Sequence, residues 1–349
     1  MAKINLLILF GGESTEHSIS NISASNILEA IDQKKYNITK IGITRDGKWY
    51  LVNSSVADIK SGEWVNHLRH QAIVSPSKLN KGILILKGNE FEEIGIDVCF
   101  PILHGINGED GTVQALLKLA GIRCVGADFL SSAVGMHKKF TKIILSEAEI
   151  PVVPSLYIEK NEYIKNIENL EKIKFELPCF VKPANSGSSV GATAVFKAVD
   201  FIPAVKAAFK IDSCVLVEKY IECREIECAV IGNDDIFVSH PGEISTTSEF
   251  YDFDTKYVNT GGVSLSIPAE IDKNTEKAIM EYAKKAYKIL GLSGMTRIDF
   301  FIDKKTSEIY LNEVNTIPGF TSLSMYPLLL LEEGFTYPKL IDKLIELAR

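Results

Sequence analysis

Four polar residues near the C-terminal end of the chain have a spacing that suits metal and phosphate chemistry. The segment TRIDFF contains Arg297 and Asp299, and the segment YLNEVN contains Glu313 and Asn315. Residues i and i+2 of a β-strand lie on the same face, so each pair shares one face of its strand. The segment DKKTSE joins the two and predicts a hairpin. All four side chains share one face if the hairpin loop has an odd number of residues, about three or five.

These residue types allow a cation and an anion to be bound side by side. Carboxylate and amide oxygens are hard ligands that suit Mg²⁺, which takes its remaining ligands from water and substrate phosphates. A guanidinium suits a phosphate, or an oxyanion that forms during a reaction. The alternative is a solvated strand face with surface ion pairs, because edge strands commonly carry charged side chains.

Two further segments suit a nucleotide. In VKPANSGSSVGA, Lys182 is followed by a loop of Gly, Ser and Asn residues, whose N–H groups and hydroxyls can contact phosphate. An ordinary hairpin turn has the same composition, and the chain contains no GxxxxGK[ST] motif. In VLVEKYIECREIE, an apolar stretch leads to Glu218, Lys219 and Glu225, which suits either an adenosine pocket or a charged edge strand.

Two loops in the first third of the chain follow apolar strands. FGGESTEHSIS contains Glu16 and FPILHGINGEDG contains His104. The carboxyl ends of parallel strands are where α/β sheets bind ligands. The alternatives are that Glu16 only interacts with a helix dipole and that His104 is an ordinary loop histidine.

The elements that must position these residues alternate between strands and helices. INLLILF, NITKIGITR and DVCFPIL are predicted strands, and GTVQALLKLAG is a predicted helix, which indicates a Rossmann-like first domain to about residue 122. No GxGxxG motif follows the first strand, so dinucleotide binding is not indicated. A second domain is predicted over residues 123–217 and a third over residues 218–349, which gives an α/β protein.

The composition limits the class of partner. The 349 residues are 46% hydrophobic and 24% charged with a net charge of −7, which argues against nucleic acid. No segment approaches the roughly 18 consecutive apolar residues of a membrane helix. The six cysteines form no CxxC pair, which predicts buried free thiols in a reducing cytoplasm.

Together these segments resemble the D-alanine–D-alanine ligases of the ATP-grasp superfamily, over essentially the whole chain. GMHKKFTK, FYDFDTKY and LNEVNTIPGFTSLSMYP match the family as well, in the same order. The length and the long first domain resemble the branch that also contains the vancomycin-resistance ligases. The resemblance implies a three-domain ATP-grasp ligase, in which a Rossmann-like N-terminal domain (1–122) precedes two α+β lobes (123–217 and 218–349) that hold ATP between them.

The resemblance also implies the residues that bind ATP and metal. Two lysines, Lys138 and Lys182, contact the ATP phosphates. The adenosine pocket contains Glu218, Lys219 and Glu225. Two Mg²⁺ ions, which Mn²⁺ can replace, are held by Asp299, Glu313 and Asn315.

The family further implies the residues that bind the amino acids. Glu16 holds the ammonium group of the first D-alanine, with His104 nearby. Ser188 and Tyr257 hydrogen-bond with each other and close the site. The carboxylate of the second D-alanine is held by Lys256 and Ser324. Arg297 and the backbone N–H of Gly319 form the oxyanion site.

The implied activity is ATP-dependent joining of two D-alanines through a D-alanyl phosphate, for peptidoglycan precursors. The family implies a cytoplasmic homodimer with D-alanine and ATP as its small-molecule substrates. The alternative is a D-alanine–D-serine ligase of the resistance type. Met325 favours D-alanine because an apolar side chain packs against a methyl group, whereas Phe253 is more typical of D-serine ligases. The pair Lys256 and Tyr257 argues against D-lactate.

Two rival functions come from other classes. One is a non-catalytic ATP-binding module, which the complete set of lysines, Arg297 and metal ligands argues against. The other is a carboxylate–amine ligase of another pathway, similar to biotin carboxylase. The loops that contain Glu16 and His104 argue against that rival.

Overall fold

A computed structural model describes residues 3–80, 82–165, 175–188, 190–246 and 263–349. Within these residues the chain forms four β-sheets, with helices packed against them. No helix in the described ranges combines the length and the apolar character that crossing a membrane requires.

The first sheet has five strands in the order β3-β2-β1-β7-β8. Pairing is parallel except at β3, which is antiparallel to β2. The middle strand β1 is a nearly continuous apolar run that is buried over most of its length, as expected for a parallel strand covered on both faces. The predicted Rossmann-like alternation is therefore confirmed. The elements are β1 (Ile4–Gly11), α1 (His17–Ala30), β2 (Tyr36–Ile43), β3 (Trp49–Leu51), β7 (Val98–Ile102), α3 (Thr112–Ala120) and β8 (Arg123–Cys124).

A small antiparallel sheet, β4-β5-β6, is inserted between β3 and β7. The apolar run GILILK of β5 is typical of a strand, whereas β6 (EFEEIG) is mostly exposed and lacks an apolar pattern. The elements are α2 (Val56–Ser61), a 3₁₀ helix (Glu63–His67), β4 (Ala72–Val74), β5 (Gly82–Lys87) and β6 (Glu90–Gly95).

The central sheet is antiparallel, in the order β11-β10-β12-β9. Its buried apolar face packs against a helix, and Val181, Val205 and Val217 lie in that core. The elements are α4 (Phe129–Met136), α5 (Lys138–Glu147), β9 (Ser155–Glu159), α6 (Lys160–Lys165), β10 (Cys179–Pro183), β11 (Thr193–Val195), α7 (Ala198–Ala208) and β12 (Cys214–Lys219).

The C-terminal sheet is also antiparallel, in the order β16-β15-β13-β17-β18, and β14 pairs with β13. The long strand β17 lies between β13 and β18, so its side chains have neighbours on both sides. The elements are β13 (Cys223–Gly232), β14 (Phe237–Val238), β15 (Gly242–Thr246), β16 (Val263–Ser266), α8 (Lys273–Ile289), β17 (Gly294–Asp303), β18 (Ile309–Asn315), α9 (Met325–Glu332) and α10 (Tyr337–Leu347).

One hydrophobic core joins the first sheet to the C-terminal part of the chain. Leu6 and Phe10 of β1 belong to the same buried cluster as Phe320, Tyr326 and Leu340. The first sheet ends at Cys124 and the central sheet at Lys219, two residues beyond the predicted domain boundaries at 122 and 217. The division into three domains stays a prediction.

Candidate active site

A cavity lies where the first sheet, the central sheet and the C-terminal hairpin meet. Eight of the site residues predicted from the sequence line this cavity, and they come from five separate parts of the chain. These residues are Glu16, His104, Lys138, Ser188, Arg297, Glu313, Asn315 and Gly319.

The hairpin of β17 and β18 brings its four polar residues to one face. Arg297 pairs with Asn315, and Asp299 pairs with Glu313. The predicted odd loop was wrong, because the last paired residues, at 302 and 309, enclose six residues, 303–308. A register shift between positions 299 and 300 restores the shared face and leaves Asn312 outside the pairing. The side chain of Asn312 lines the cavity, and its buried Oδ1 has no hydrogen-bond partner among the described residues.

Carboxylates on two strands hold the guanidinium of Arg297 in place. Its Nε and Nη2 each lie 2.8 Å from one oxygen of Asp299. Its Nε is also 2.9 Å from Oε2 of Glu227, on the neighbouring strand β13. Asn315 donates from Nδ2 to the Asp299 carboxylate at 2.9 Å. Glu227 was missed at the sequence level, although the alternation of the segment EIE puts it on the face of Glu225.

The predicted metal ligands have donor atoms that fit Mg²⁺. Asp299, Glu313 and Asn315 provide two carboxylates and an amide oxygen on one strand face, and Mg²⁺ commonly adds water and phosphate oxygens to such a set. In the ranges that the structure describes, no group of three or more His, Cys, Asp or Glu side chains is arranged to hold a metal by itself. The number of ions stays a prediction.

A buried carboxylate, Glu218, binds two lysines. Lys182 lies 2.7 Å from one of its oxygens, and Lys142 lies 2.9 Å from the other. Burial by itself raises the pKa of Glu218, but the two ammonium groups overcome this effect and lower the pKa to about 2. Lys142 was missed in the sequence. It lies four residues after Lys138 in α5, on the same face of the helix, which is the signal that could have identified it.

The other predicted ATP ligands lie near this group. Lys138 donates from Nζ to the backbone oxygen of Ser186, and burial lowers the pKa of Lys138 although the Glu313 carboxylate opposes that shift. Lys219, at the end of β12, is exposed, and Glu225 on β13 is half-buried. Their roles in an adenosine pocket stay predictions.

The loop after β10 reaches the start of α1. Ser188 donates from Oγ to Oε1 of Glu16 at 2.6 Å, across 172 positions of sequence. Glu16 is 8% exposed and Ser188 is half-buried, so this hydrogen bond is partly shielded from solvent. Ser188 has a φ of +47°, which is uncommon for a residue with a side chain and turns the loop toward Glu16.

The loop after β7 binds the turn that follows β18. His104 is 5% exposed, and its Nδ1 lies 3.1 Å from the backbone oxygen of Ile317. Burial lowers the pKa of His104, and the charge of Glu16 opposes the shift.

Glu109 is a cavity residue that the sequence analysis missed. Its Oε2 accepts a hydrogen bond from the N–H of Gly105 at 2.8 Å, and its Oε1 accepts one from the N–H of Ile317 at 3.4 Å. Burial, followed by the charge of Glu16, raises the pKa of Glu109 to about 8. The segment GINGEDG was recognised as a ligand loop, but acidic residues in such turns usually cap the backbone, so the sequence alone did not single out Glu109.

Gly319 and Ser324 lie close together in the turn that leads into α9. A Cβ atom at Gly319 would approach Oγ of Ser324 to 2.7 Å, so the turn leaves little room for a side chain at this position. The Ser324 Oγ accepts a hydrogen bond from the N–H of Thr321 at 2.9 Å.

Met325 lies in the hydrophobic core, whereas the sequence analysis expected it to contact a substrate methyl group. It is 2% exposed and belongs to the cluster that contains Ile244 and Leu329. Its sulfur would be 2.9 Å from a Cβ atom at Gly242, so it packs against β15. Met325 is not among the residues that line the cavity. Its role in substrate choice stays a prediction.

Three further predicted residues lie outside the described part of the chain. Lys256, Tyr257 and Phe253 fall within residues 247–262, between β15 and β16. The contacts predicted for Lys256 and Tyr257, and the substrate preference that Phe253 indicates, stay predictions.

The chain is similar to one family over nearly its whole length. The family model described as D-ala D-ala ligase N-terminus matches residues 5–127, and the model described as D-ala D-ala ligase C-terminus matches residues 144–346. A D-alanine–D-alanine ligase of Caldicellulosiruptor bescii is 47% identical over 355 aligned positions, which cover 100% of this chain and 96% of the relative.

Solved structures show the same similarity in three dimensions. The crystal structure of VanG D-Ala:D-Ser ligase from Enterococcus faecalis has a TM-score of 0.89 and 38% identity, and the match covers 100% of both chains. The D-alanine–D-alanine ligase from Coxiella burnetii has a TM-score of 0.84 and 34% identity, with 100% of this chain and 94% of that chain covered.

Proposed function

The chain belongs to the D-alanine–D-alanine ligase family, and on that premise we propose how its cavity joins two D-alanines at the expense of ATP. The overall reaction forms a peptide bond and releases ADP and phosphate. It needs a carboxylate to be activated, because a free carboxylate does not react with an amine at a useful rate. The product serves as a precursor of peptidoglycan.

In the first step, the carboxylate of one D-alanine attacks the γ-phosphorus of ATP. The bond from that phosphorus to the bridging oxygen breaks, ADP leaves, and D-alanyl phosphate forms. Lys138 and Lys182 bind the phosphates, and their charges offset the negative charge on the transferring group. Asp299, Glu313 and Asn315 would hold Mg²⁺, which would supply further charge neutralisation when bound. Two Mg²⁺ ions, with Mn²⁺ as a substitute, are part of this proposal.

In the second step, the amine of the other D-alanine attacks the carbonyl carbon of D-alanyl phosphate. The tetrahedral oxyanion is stabilised by Arg297 and the backbone N–H of Gly319. Phosphate then leaves with the electrons of the C–O bond, and the nitrogen loses a proton. Loss of one oxyanion donor typically costs about 3–4 kcal/mol of transition-state stabilisation. The two hydrogen bonds from Arg297 to Asp299 support this role, because they fix the guanidinium before substrate binds.

Water must be kept from D-alanyl phosphate, since hydrolysis would waste the ATP. In this proposal, residues 184–192 and about 247–262 act as two lids over the site. The hydrogen bond of 2.6 Å from Ser188 to Glu16 supports this role of residues 184–192. It joins that lid to the residue that, in the proposal, holds the ammonium group of the first D-alanine.

The observation that carries the proposal is that eight predicted residues from five parts of the chain line one cavity. The test is an ADP-release assay with D-alanine alone, with D-alanine plus D-serine, and with D-alanine plus D-lactate, in which the products are identified by mass. We expect D-alanyl-D-alanine as the main product. Absence of ATP turnover with all three mixtures would contradict the ligase proposal.

A D-alanine–D-serine ligase is the second candidate. The structural similarity to VanG D-Ala:D-Ser ligase favours it, whereas the sequence relative with 47% identity is a D-alanine–D-alanine ligase. An apolar subsite rejects an added hydroxyl by only about a hundredfold, so D-serine is expected as a poor side substrate. D-Alanyl-D-serine as the main product from an equimolar mixture would favour the second candidate.

We also propose a cytoplasmic homodimer, on the basis of the family. Light scattering coupled to size-exclusion chromatography tests the dimer, because a single species near the chain mass of 38.6 kDa would contradict it.

A further inference from the structure

The turn Ile317–Phe320 carries Gly319 and is bound at its first residue by the loop after β7. The N–H of Ile317 donates to Oε1 of Glu109 at 3.4 Å, and the C=O of Ile317 faces Nδ1 of His104 at 3.1 Å. Both backbone polar groups of Ile317 therefore meet side chains of one loop. Ile317 is 3% exposed, so water does not compete strongly for these contacts.

The last residue of the same turn is bound by α1. The N–H of Phe320 donates to Oγ of Ser23 at 3.1 Å, and its C=O accepts from Nδ2 of Asn26 at 2.9 Å. Ser23 and Phe320 are fully buried. Both ends of the turn are thus fixed, one by side chains of the loop after β7 and the other by side chains of α1, and Gly319 lies between them.

Glu109 connects two loops that are remote in sequence. Its second oxygen accepts from the N–H of Gly105 at 2.8 Å, so one carboxylate bonds to the loop after β7 and to the loop after β18. Gly105 has a φ of +73°, which aims its N–H in a direction that residues with side chains rarely allow. The ionised carboxylate has an acceptor for each N–H, whereas the protonated form has only one good acceptor.

The residues between the two fixed ends transmit this constraint to the reaction centre. Pro318 has a φ held near −65° by its ring, and it also restricts the backbone of the residue before it. With Ile317 bound and φ of Pro318 fixed, fewer backbone rotations remain between Ile317 and the Gly319 N–H, so a shift of Ile317 changes the direction of that N–H.

We propose that Glu109 is a positioning residue that fixes Ile317 and thereby aims the Gly319 N–H at the oxyanion of the second reaction step. The proposal rests on the proposed function, because it deepens the role assigned there to Gly319. Glu109 bonds to no reacting atom in this scheme. Its removal should therefore slow peptide-bond formation and leave phosphoryl transfer intact.

The experiment compares Glu109→Gln and Glu109→Ala with the wild type at pH 9. Three charged groups act on this carboxylate, Glu16, Lys138 and Arg297, and His104 lines the same cavity. At pH 9 the wild-type carboxylate is ionised, because its pKa is about 8. Glutamine keeps one acceptor oxygen and alanine keeps none.

We expect kcat for dipeptide to fall about tenfold in Glu109→Gln and about 100-fold in Glu109→Ala, since a small misplacement of an oxyanion donor has effects of this size. The KM for ATP should stay within about twofold. Phosphoryl transfer is measured separately, by positional isotope exchange in ATP labelled at the β,γ-bridge, and its rate should stay within about threefold of the wild-type rate.

Two further variants keep the test decisive. Asp110→Asn is the matched control, because Asp110 accepts from the N–H groups of Asn107 and Thr112 in the same loop but does not contact Ile317. Its melting temperature should fall while kcat is unchanged. Ser23→Ala removes the acceptor at the other end of the turn and should reproduce the loss of dipeptide formation with intact isotope exchange, even if a Glu109 variant fails to fold.

Unchanged dipeptide formation in Glu109→Ala would overturn the inference, as would an equal loss of isotope exchange and dipeptide formation in both Glu109 variants. A wild-type protein that releases no ADP with D-alanine would instead contradict the proposed function. The two failures are therefore distinguishable.

Discussion

Replacing Lys142 with methionine tests the charge balance behind the phosphate-binding lysines. Lys142 is 1% exposed, with its Nζ 2.9 Å from Glu218 and 3.2 Å from the backbone oxygen of Val153. Methionine fills a similar volume and removes the charge. Glu218 then keeps only Lys182 as an ion-pair partner. The cluster of Glu218, Lys142 and Lys182 therefore loses its net positive charge.

The size of the effect follows from the pKa of Glu218. It falls from 4.5 to about 2 in the folded protein, and each unit corresponds to about 1.4 kcal/mol, which gives about 3 kcal/mol of stabilisation. Since the folded-state pKa is the lower one, this stability is present above pH 4.5 and is lost as the pH falls toward 2. Removing one partner of a buried ion pair costs about 3–5 kcal/mol. Because Lys182 remains bound to Glu218, and because burial lowers the pKa of Lys142 and so opposes the stabilisation by the pair, we expect a loss of about 2–3 kcal/mol at pH 7.

The assay is equilibrium urea unfolding at pH 7, followed by far-ultraviolet circular dichroism and paired with the KM for ATP. Lys139→Met is the matched control. Lys139 lies in the same helix as Lys142, and its ion pair with Glu159 is partly exposed. An exposed pair contributes about 0–1 kcal/mol, so the control should lose no more than that. The KM for ATP should rise about tenfold or more in Lys142→Met only, as expected when about 1.4 kcal/mol or more of binding energy is lost.

Equal losses of stability in Lys142→Met and Lys139→Met would refute the reasoning. An unchanged KM for ATP in a destabilised Lys142→Met would refute the electrostatic part alone. In that case Lys142 would contribute to folding without affecting the phosphate site.

Three other predictions concern the closure of the site, its core and its metal. Ser188→Ala removes the hydrogen bond of 2.6 Å to Glu16, so we expect fewer dipeptides per ADP released; an unchanged ratio, measured by coupled ADP release and mass spectrometry, would contradict a closing role. Met325→Ala should lower the free energy of unfolding by about 2–5 kcal/mol, because Met325 is buried against Gly242 and Leu329. A loss below about 1 kcal/mol would contradict its burial. The ratio of D-serine to D-alanine products in the same variant tests its predicted role in specificity. Chelation of divalent cations with EDTA should abolish ADP release, and added Mg²⁺ should restore it; full activity after chelation would contradict a metal-dependent reaction.

The polar residues of the hairpin were predictable because β-strand geometry is local. A spacing of two puts Arg297 with Asp299 and Glu313 with Asn315 on one face in any extended strand, whatever surrounds it. The shared face of the two strands was predicted for the wrong reason, since a register shift rather than an odd loop provides it. A bulge depends on how two strands pair, so neither strand reveals it alone.

Met325 shows that neighbouring residues of the sequence can have different surroundings in the fold. It adjoins Ser324 in the sequence, and both residues were predicted to contact the second substrate. The turn before α9 gives the two side chains different directions, so Ser324 bonds to Thr321 while Met325 enters the core. Neighbouring residues at the start of a helix point about 100° apart around its axis, and only packing decides which one is buried.

The family, the α/β architecture and the chemical types of the site were predictable from short segments, because motifs of fixed spacing and apolar runs are local properties. The contacts between remote segments became visible in the folded chain alone. Glu109 bonding to Ile317, Lys142 sharing Glu218 with Lys182, and Ser188 reaching Glu16 are examples. The physical reason is that a buried charge or N–H group needs a partner in space, and chain folding selects that partner without regard to distance along the sequence.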